Sequence, residues 1–168
     1  VAAAAGTAAH HGFELAKGIG LVWQPELGLV GAGVLWGTQL PAWAALAWGG
    51  GVRGNKVLAV ASGASLGGAL VHYLLWPWRF DRFGIPYLTE AEGMPASALP
   101  AYNAVLRAWV VASLSSIARE VSPRDRAWVA VGLATTPLLI VSAKHHFVWL
   151  HEQSDANPAW WNRGARAG

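Results

Sequence analysis

Glu14, His72, Arg107 and His145 are the residues of this sequence whose types best suit chemistry. Each interrupts an otherwise apolar stretch, where an ionisable side chain is expensive and marks a functional site by default. A carboxyl group and imidazoles exchange protons near neutral pH, and a guanidinium stays charged. Spacing groups them further. His10 and Glu14 are i,i+4, while His11 with Glu14 and Glu14 with Lys17 are i,i+3, so they share one helical stripe. Asn103 and Arg107 are i,i+4 as well. Lys144 and His151 fall on one face, with His145 about 100° away from Lys144. A carboxylate in a low-dielectric setting needs a cation beside it to stay ionised, and Arg107 or Lys144 is the expected partner of Glu14. His11, Trp36, Trp76, Asn103, Trp109, Lys144 and His146 are the expected substrate-binding residues.

Structural alternatives exist for most of these. Lys17, Lys144 and His151 can snorkel to a bilayer surface, and His145 and His146 can sit at the interface. His72 can be a packed histidine, and Glu14 with Arg107 a structural ion pair. Trp23, Trp76, Trp78, Trp149, Trp160 and Trp161 fit an aromatic belt on one side, and Trp43, Trp48 and Trp128 one on the other. Trp36 and Trp109 fall between the belts and suit a cavity wall or core packing.

The elements that must position these side chains are read from missing charge. Leu27–Val52 and Val57–Trp78 contain no Lys, Arg, Asp or Glu. Of the 168 residues, 54% are hydrophobic and only 12% charged, about half the usual share for a soluble domain. The fold class expected is all-α, a polytopic integral membrane bundle of about five spans over 1–22, 27–48, 57–78, 99–118 and 127–150. Residues 1–22 are the least apolar, and four spans result if they do not cross. Pro41 and Thr135-Thr136-Pro137 are expected kinks. Residues 1–150 make one transmembrane domain and 151–168 a polar tail. Gly49–Lys56 reads as a flexible basic loop, 79–98 as a long loop, and Thr89–Glu92 within it as a short surface helix. The Gly63/Gly67 spacing, with Gly28, Gly31 and Gly33, predicts close helix packing within the chain more than between chains. Val1–Gly6 is apolar at once, so no cleavable signal peptide is expected.

Alternation of the spans brings Glu14, His72, Asn103, Arg107, Lys144, His145 and His146 to similar depth, ~10 Å into one leaflet by the helix rise. A polar cavity beneath the 79–98 loop is therefore expected. Short cation-rich connections place the opposite side, and the N-terminus, in the cytoplasm of a multi-pass protein of the cell (inner) membrane.

With net charge +3 and cations scattered through connections, nucleic-acid binding is excluded. Without cysteine there is no thiol chemistry or thiolate metal site. Gly18-Ile19-Gly20 and Gly31-Ala32-Gly33 lack a phosphate-loop pattern. The expected activity is acid–base isomerisation or cyclisation of an isoprenoid- or sterol-like lipophile. Membrane-bound terpene cyclases and sterol isomerases are comparable in overall design, but no motif here matches either. The alternatives are a non-catalytic subunit of a larger membrane complex, and a haem or metal protein. Haem would use His10 or His11, His72, and His145 or His146; a non-haem metal would use His145, His146, His151 and Glu152. These spacings match no strong signature, so no cofactor is expected, with haem as the alternative. The partners are the bilayer, a lipophilic small molecule and, in the second reading, other membrane subunits.

Overall fold

A computed structural model describes residues 1–166. Its elements in chain order are helices α1 (Ala2–Lys17), α2 (Gln24–Gly49) and α3 (Gly51–Leu75), strands β1 (Trp78–Phe80) and β2 (Pro86–Leu88), and helices α4 (Leu99–Arg119), α5 (Arg126–Leu133) and α6 (Thr136–Ala156). Short 3₁₀ turns cover Ala96–Ala98, Pro123–Asp125 and Arg163–Arg166. The chain is all-α apart from one hairpin. Among the described residues, three helical stretches are long and apolar enough to cross a membrane: Gln24–Gly49, Gly51–Leu75 and Pro123–Ala156. The first and fourth expected spans are helices of 16 and 21 residues that are not among these three. They pair with each other and carry much of the polar interior.

That interior combines an apolar cluster around Ile19, Leu88, Leu106 and Leu150 with an unusual number of buried polar groups. Thr7, His10, Glu14, Ser65, His72, Asn103 and His146 are buried, while Val30, Val34, Leu74, Val111, Leu138 and Val141 face outward. Apolar atoms outside suit contact with lipid, and polar groups inside must satisfy one another.

Helix α1 stops at Gly18, which takes the left-handed conformation (φ 79°) that costs glycine nothing. Its carbonyl then accepts the Gly164 N–H at 2.9 Å, docking the C-terminal segment on the end of α1. In the expected tail, α6 runs on to Ala156, and Gly164 and Ala165 are buried. Residues 167 and 168 lie outside the described residues.

The expected loop over Gly49–Lys56 is absent, because α3 begins at Gly51. The Gly50 N–H bonds Leu46 O at 2.9 Å and the Gly54 N–H bonds Gly50 O at 2.8 Å, closing a tight helical corner. Within α2 the backbone departs from helical dihedrals at Gly28 (φ 69°, ψ 170°), not at the expected Pro41. The break between α5 and α6 falls where expected. Thr135 Oγ1 donates to Gly132 O at 2.7 Å and Thr136 Oγ1 to Leu133 O at 2.6 Å, so hydroxyls satisfy carbonyls the break releases.

Close packing joins α3 to α5. A Cβ on Gly63 would lie 2.1 Å from Val129 O, and one on Gly132 would lie 2.0 Å from Val60 O. The glycine spacing in α3 thus serves packing within the chain, as expected. Gly28 and Gly33 have nothing within 4 Å and do no such work.

Part of 79–98 is ordered as the β1–β2 hairpin, with Trp78, Arg79 and Phe80 opposite Leu88, Tyr87 and Pro86. Asp81 Oδ1 accepts the Phe83 and Ile85 amides at 2.8 and 3.1 Å, fixing the turn. These bonds, the Ile85 amide foremost, and then Arg107, hold the Asp81 carboxyl below its ordinary pKa despite some loss of solvent. Thr89–Glu92 is not helical: the Thr89 N–H and Oγ1 both bond Pro77 O, which ties the segment to the residue just before β1.

Candidate functional site

Position in the α1 turn explains the centre of the site. His10 and Glu14 follow Ala3 and Thr7 on the inward stripe of α1, and all four are buried. Tyr102 reaches them from α4, where Tyr102, Leu106 and Trp109 form the inward stripe. His72 reaches them from α3.

The Glu14 carboxylate is surrounded by nitrogen and hydroxyl. Tyr102 donates its O–H to Oε1 at 2.7 Å. His10 Nε2 lies 3.2 Å from Oε2, His11 Nδ1 3.7 Å from Oε2, and His72 Nε2 3.7 Å from Oε1. His72 Nδ1 lies 3.0 Å from Gly68 O and 3.3 Å from Ala69 O. A carbonyl only accepts, so the Nδ1–H donates to it and Nε2 is turned toward the carboxylate. One donor atom from each of His10, Glu14 and His72 falls within 4.8 Å of the others, the spacing of a candidate metal site.

Aromatic rings hold these groups in place. His10 stacks on Trp109, ring centroids 4.6 Å apart, and meets His72 edge to face at 4.6 Å. The Trp109 N–H donates to Ser65 Oγ at 2.8 Å, and Ser65 continues to Thr7 and Ser113 at 3.0 and 3.1 Å. His11 packs on Trp36 at 3.8 Å between centroids, and Trp36 stacks on Trp23 at 5.2 Å. Trp23 itself adopts φ 67°, a conformation costing a bulky residue about 1–2 kcal/mol. That stack and a 3.4 Å bond from its indole N–H to Ser142 Oγ offset the cost.

The cluster opens on a cavity of about 320 Å³. Trp36, Gln39 and Trp43 form its α2 wall, and Trp76, Leu139, Phe147 and the Ala143–His146 turn close other sides. No residue of 79–98 is among its lining residues, so the expected capping loop is elsewhere.

Of the expected site residues, the structure brings Glu14, His72, His11, Trp36, Trp76, Trp109 and His146 to this cavity. His146 bonds Ile19 O through Nε2 at 2.8 Å, and its buried Nδ1 has no hydrogen-bond partner. Four others point away. Arg107 does not pair with Glu14; it bonds Asp81 Oδ2 at 2.7 Å and Pro86 O at 3.1 Å, because Asn103 and Arg107 lie on the α4 stripe facing the hairpin. Asn103 accepts the Leu88 N–H at 2.7 Å and donates to Leu88 O and Leu99 O, so it anchors the hairpin. His145 faces outward and lies 3.4 Å from exposed Glu26. Lys144 is exposed beside it, off the Ala143–His146–Phe147–Leu150 stripe.

No protein-family model matches this chain, and neither a curated protein nor a solved structure matches it. The geometry alone therefore carries the functional argument. His145, His146, His151 and Glu152 do not converge, since His151 pairs with Glu92 at 2.8 Å while His145 and His146 face opposite ways. His10 and His72 touch each other and are not disposed as axial ligands on either side of a macrocycle. Sequence reasoning missed Tyr102 and left His10 outside the site. The signal for Tyr102 was its i,i+7 relation to Trp109, which puts both on one face.

Proposed function

We propose that the chain is a multi-pass protein of the cell membrane that performs acid–base chemistry on a lipophilic substrate. The reaction class is isomerisation or cyclisation of an isoprenoid- or sterol-like molecule. The observation supporting this is the buried Glu14 carboxyl group, hydrogen-bonded by Tyr102 and ringed by three histidines at the polar end of an aromatic-walled cavity. A cavity of this size suits a hydrocarbon chain or ring system. Glu14 exchanges the proton with the substrate, His10 and His72 relay it, and Tyr102 fixes the carboxyl orientation. The faces of Trp36 and Trp109 stabilise positive charge developing on the substrate.

The test follows the proton. Wild-type protein in lipid nanodiscs, incubated in D₂O with a panel of polyprenyl and sterol olefins, incorporates deuterium detected by mass spectrometry. Glu14→Gln lowers that incorporation by ~10²-fold or more, the usual contribution of a positioned acid or base. Equal incorporation by wild type and Glu14→Gln, or none by wild type across the panel, removes the proposal.

A further inference from the structure

We propose that His10, Glu14 and His72 form a binding site for a divalent transition-metal ion of the zinc class, three protein donors that leave a fourth position open. This rests on the reading above for the cluster being the reactive centre, and it replaces the proton-carrying roles of His10, Glu14 and His72 by ligand roles whenever the ion is bound, the ion then supplying a Lewis acid.

The first support is spacing. Zinc ligands stand about 2.0–2.2 Å from the ion, so tetrahedral donor atoms lie roughly 3.3–3.6 Å from one another. The Glu14 separations of 3.2 Å from His10 Nε2 and 3.7 Å from His72 Nε2 are of that scale, and one donor atom from each of the three residues lies within 4.8 Å of the others. An imidazole and carboxylate donor set without thiolate is suited to zinc and its neighbours.

The second support is the direction of the ring nitrogens. The His72 Nδ1–H donates to Gly68 O, which turns Nε2 toward the Glu14 carboxylate at 3.7 Å. His10 Nε2 converges on the same carboxylate from the preceding turn of α1.

The third is the surrounding shell. Metal-bound histidines characteristically donate their other ring N–H to a carbonyl or carboxylate, and ligating carboxylates are themselves hydrogen-bonded. The His72–Gly68 and Tyr102–Glu14 bonds are contacts of this kind. The ligand-bearing turn of α1 is further held by Thr7, whose hydroxyl meets Ser65 Oγ at 3.0 Å. The cavity lies against the cluster, so a coordination position can face a substrate.

The experiment uses the full chain in nanodiscs, stripped with chelator and titrated with Co²⁺ alone. One equivalent binds with the visible absorption of a tetrahedral site, and Zn²⁺ displaces it. His10→Ala and His72→Ala each weaken binding by more than about tenfold. Tyr102→Phe, which leaves the donor atoms in place, weakens it by about 10–100-fold as an outer-shell change. His145→Ala and His151→Ala, at exposed histidines, leave it unchanged. Circular dichroism melts show whether each variant folds, and X-ray absorption on the wild-type zinc form reports imidazole and carboxylate ligation independently of any variant. No stoichiometric Co²⁺, or binding that survives His10→Ala and His72→Ala but not His145→Ala, overturns the proposal. Failure to bind stoichiometric metal in protein that exchanges deuterium into a lipophile overturns the metal site and keeps the acid–base reading. Stoichiometric metal with no exchange does the reverse.

Discussion

Gly63→Ala and Gly132→Ala test the contact on which the position of α3, and hence of His72, depends. The new methyl group would lie 2.1 Å from Val129 O or 2.0 Å from Val60 O, whereas ordinary contact begins at 3.4 Å. Both obstacles are backbone carbonyls, so no rotamer change relieves the clash. The helices must part by more than about 1 Å, and a gap of 0.5–1 Å already forfeits a quarter to a half of each dispersion contact. Overpacking of this kind costs about 1–3 kcal/mol, and rigid neighbours place these sites near the upper end. Alanine returns up to about 1 kcal/mol through helix propensity, leaving a net loss of about 2 kcal/mol for each variant. The double variant costs less than the sum, because helices already parted accommodate the second methyl. Gly12→Ala and Gly33→Ala are the controls, since nothing lies within 4 Å of either new methyl. Reversible unfolding in mixed micelles with increasing SDS measures each difference. Losses below 0.5 kcal/mol for Gly63→Ala and Gly132→Ala, or equal losses in the controls, would refute the packing argument.

Two further outcomes concern the hairpin. Asn103→Ala removes three hydrogen bonds and strands the buried Leu88 N–H, costing about 2–4 kcal/mol; hydrogen exchange and limited proteolysis over 86–98 should rise while the α3 core stays protected. The Asp81 carboxyl has a depressed pKa in the fold, so its stabilisation is complete above the unfolded value near 3.9 and disappears as pH falls through the folded value. Protection of the Phe83 and Ile85 amides should therefore be flat from about pH 5 to 8 and drop below about pH 4, and Asp81→Asn should abolish the dependence.

The apolar elements were legible because missing charge is a strong one-dimensional signal. Helix α4 matches its expected bounds to a residue, and the break before α6 was announced by Thr135-Thr136-Pro137. Rotational phase was less accessible. In a helix apolar on every side, periodicity does not separate an inner face from a lipid face, so depth alone grouped Arg107, Lys144 and His145 with Glu14. Direction separates them: Arg107 looks toward the hairpin and His145 outward. The fixed points were aromatic, since Trp109 marks the inward stripe of α4 and carries Tyr102 with it. Glycine misled at Gly49–Lys56, where its small size permits a tight corner instead of a mobile loop.

Helix α2 has a consequence for exchange with the surroundings. It supplies Trp36, Gln39 and Trp43 to the cavity, yet only 6% of its apolar window is buried. One helix thickness therefore stands between the cavity and whatever surrounds the bundle. An occupant passing α2 from a bilayer never dissolves in water on the way. Its occupancy then follows its mole fraction in the lipid, not its aqueous molarity. Diluting a fixed amount of such a ligand with extra lipid should empty the cavity, even though protein and total ligand concentrations stay constant.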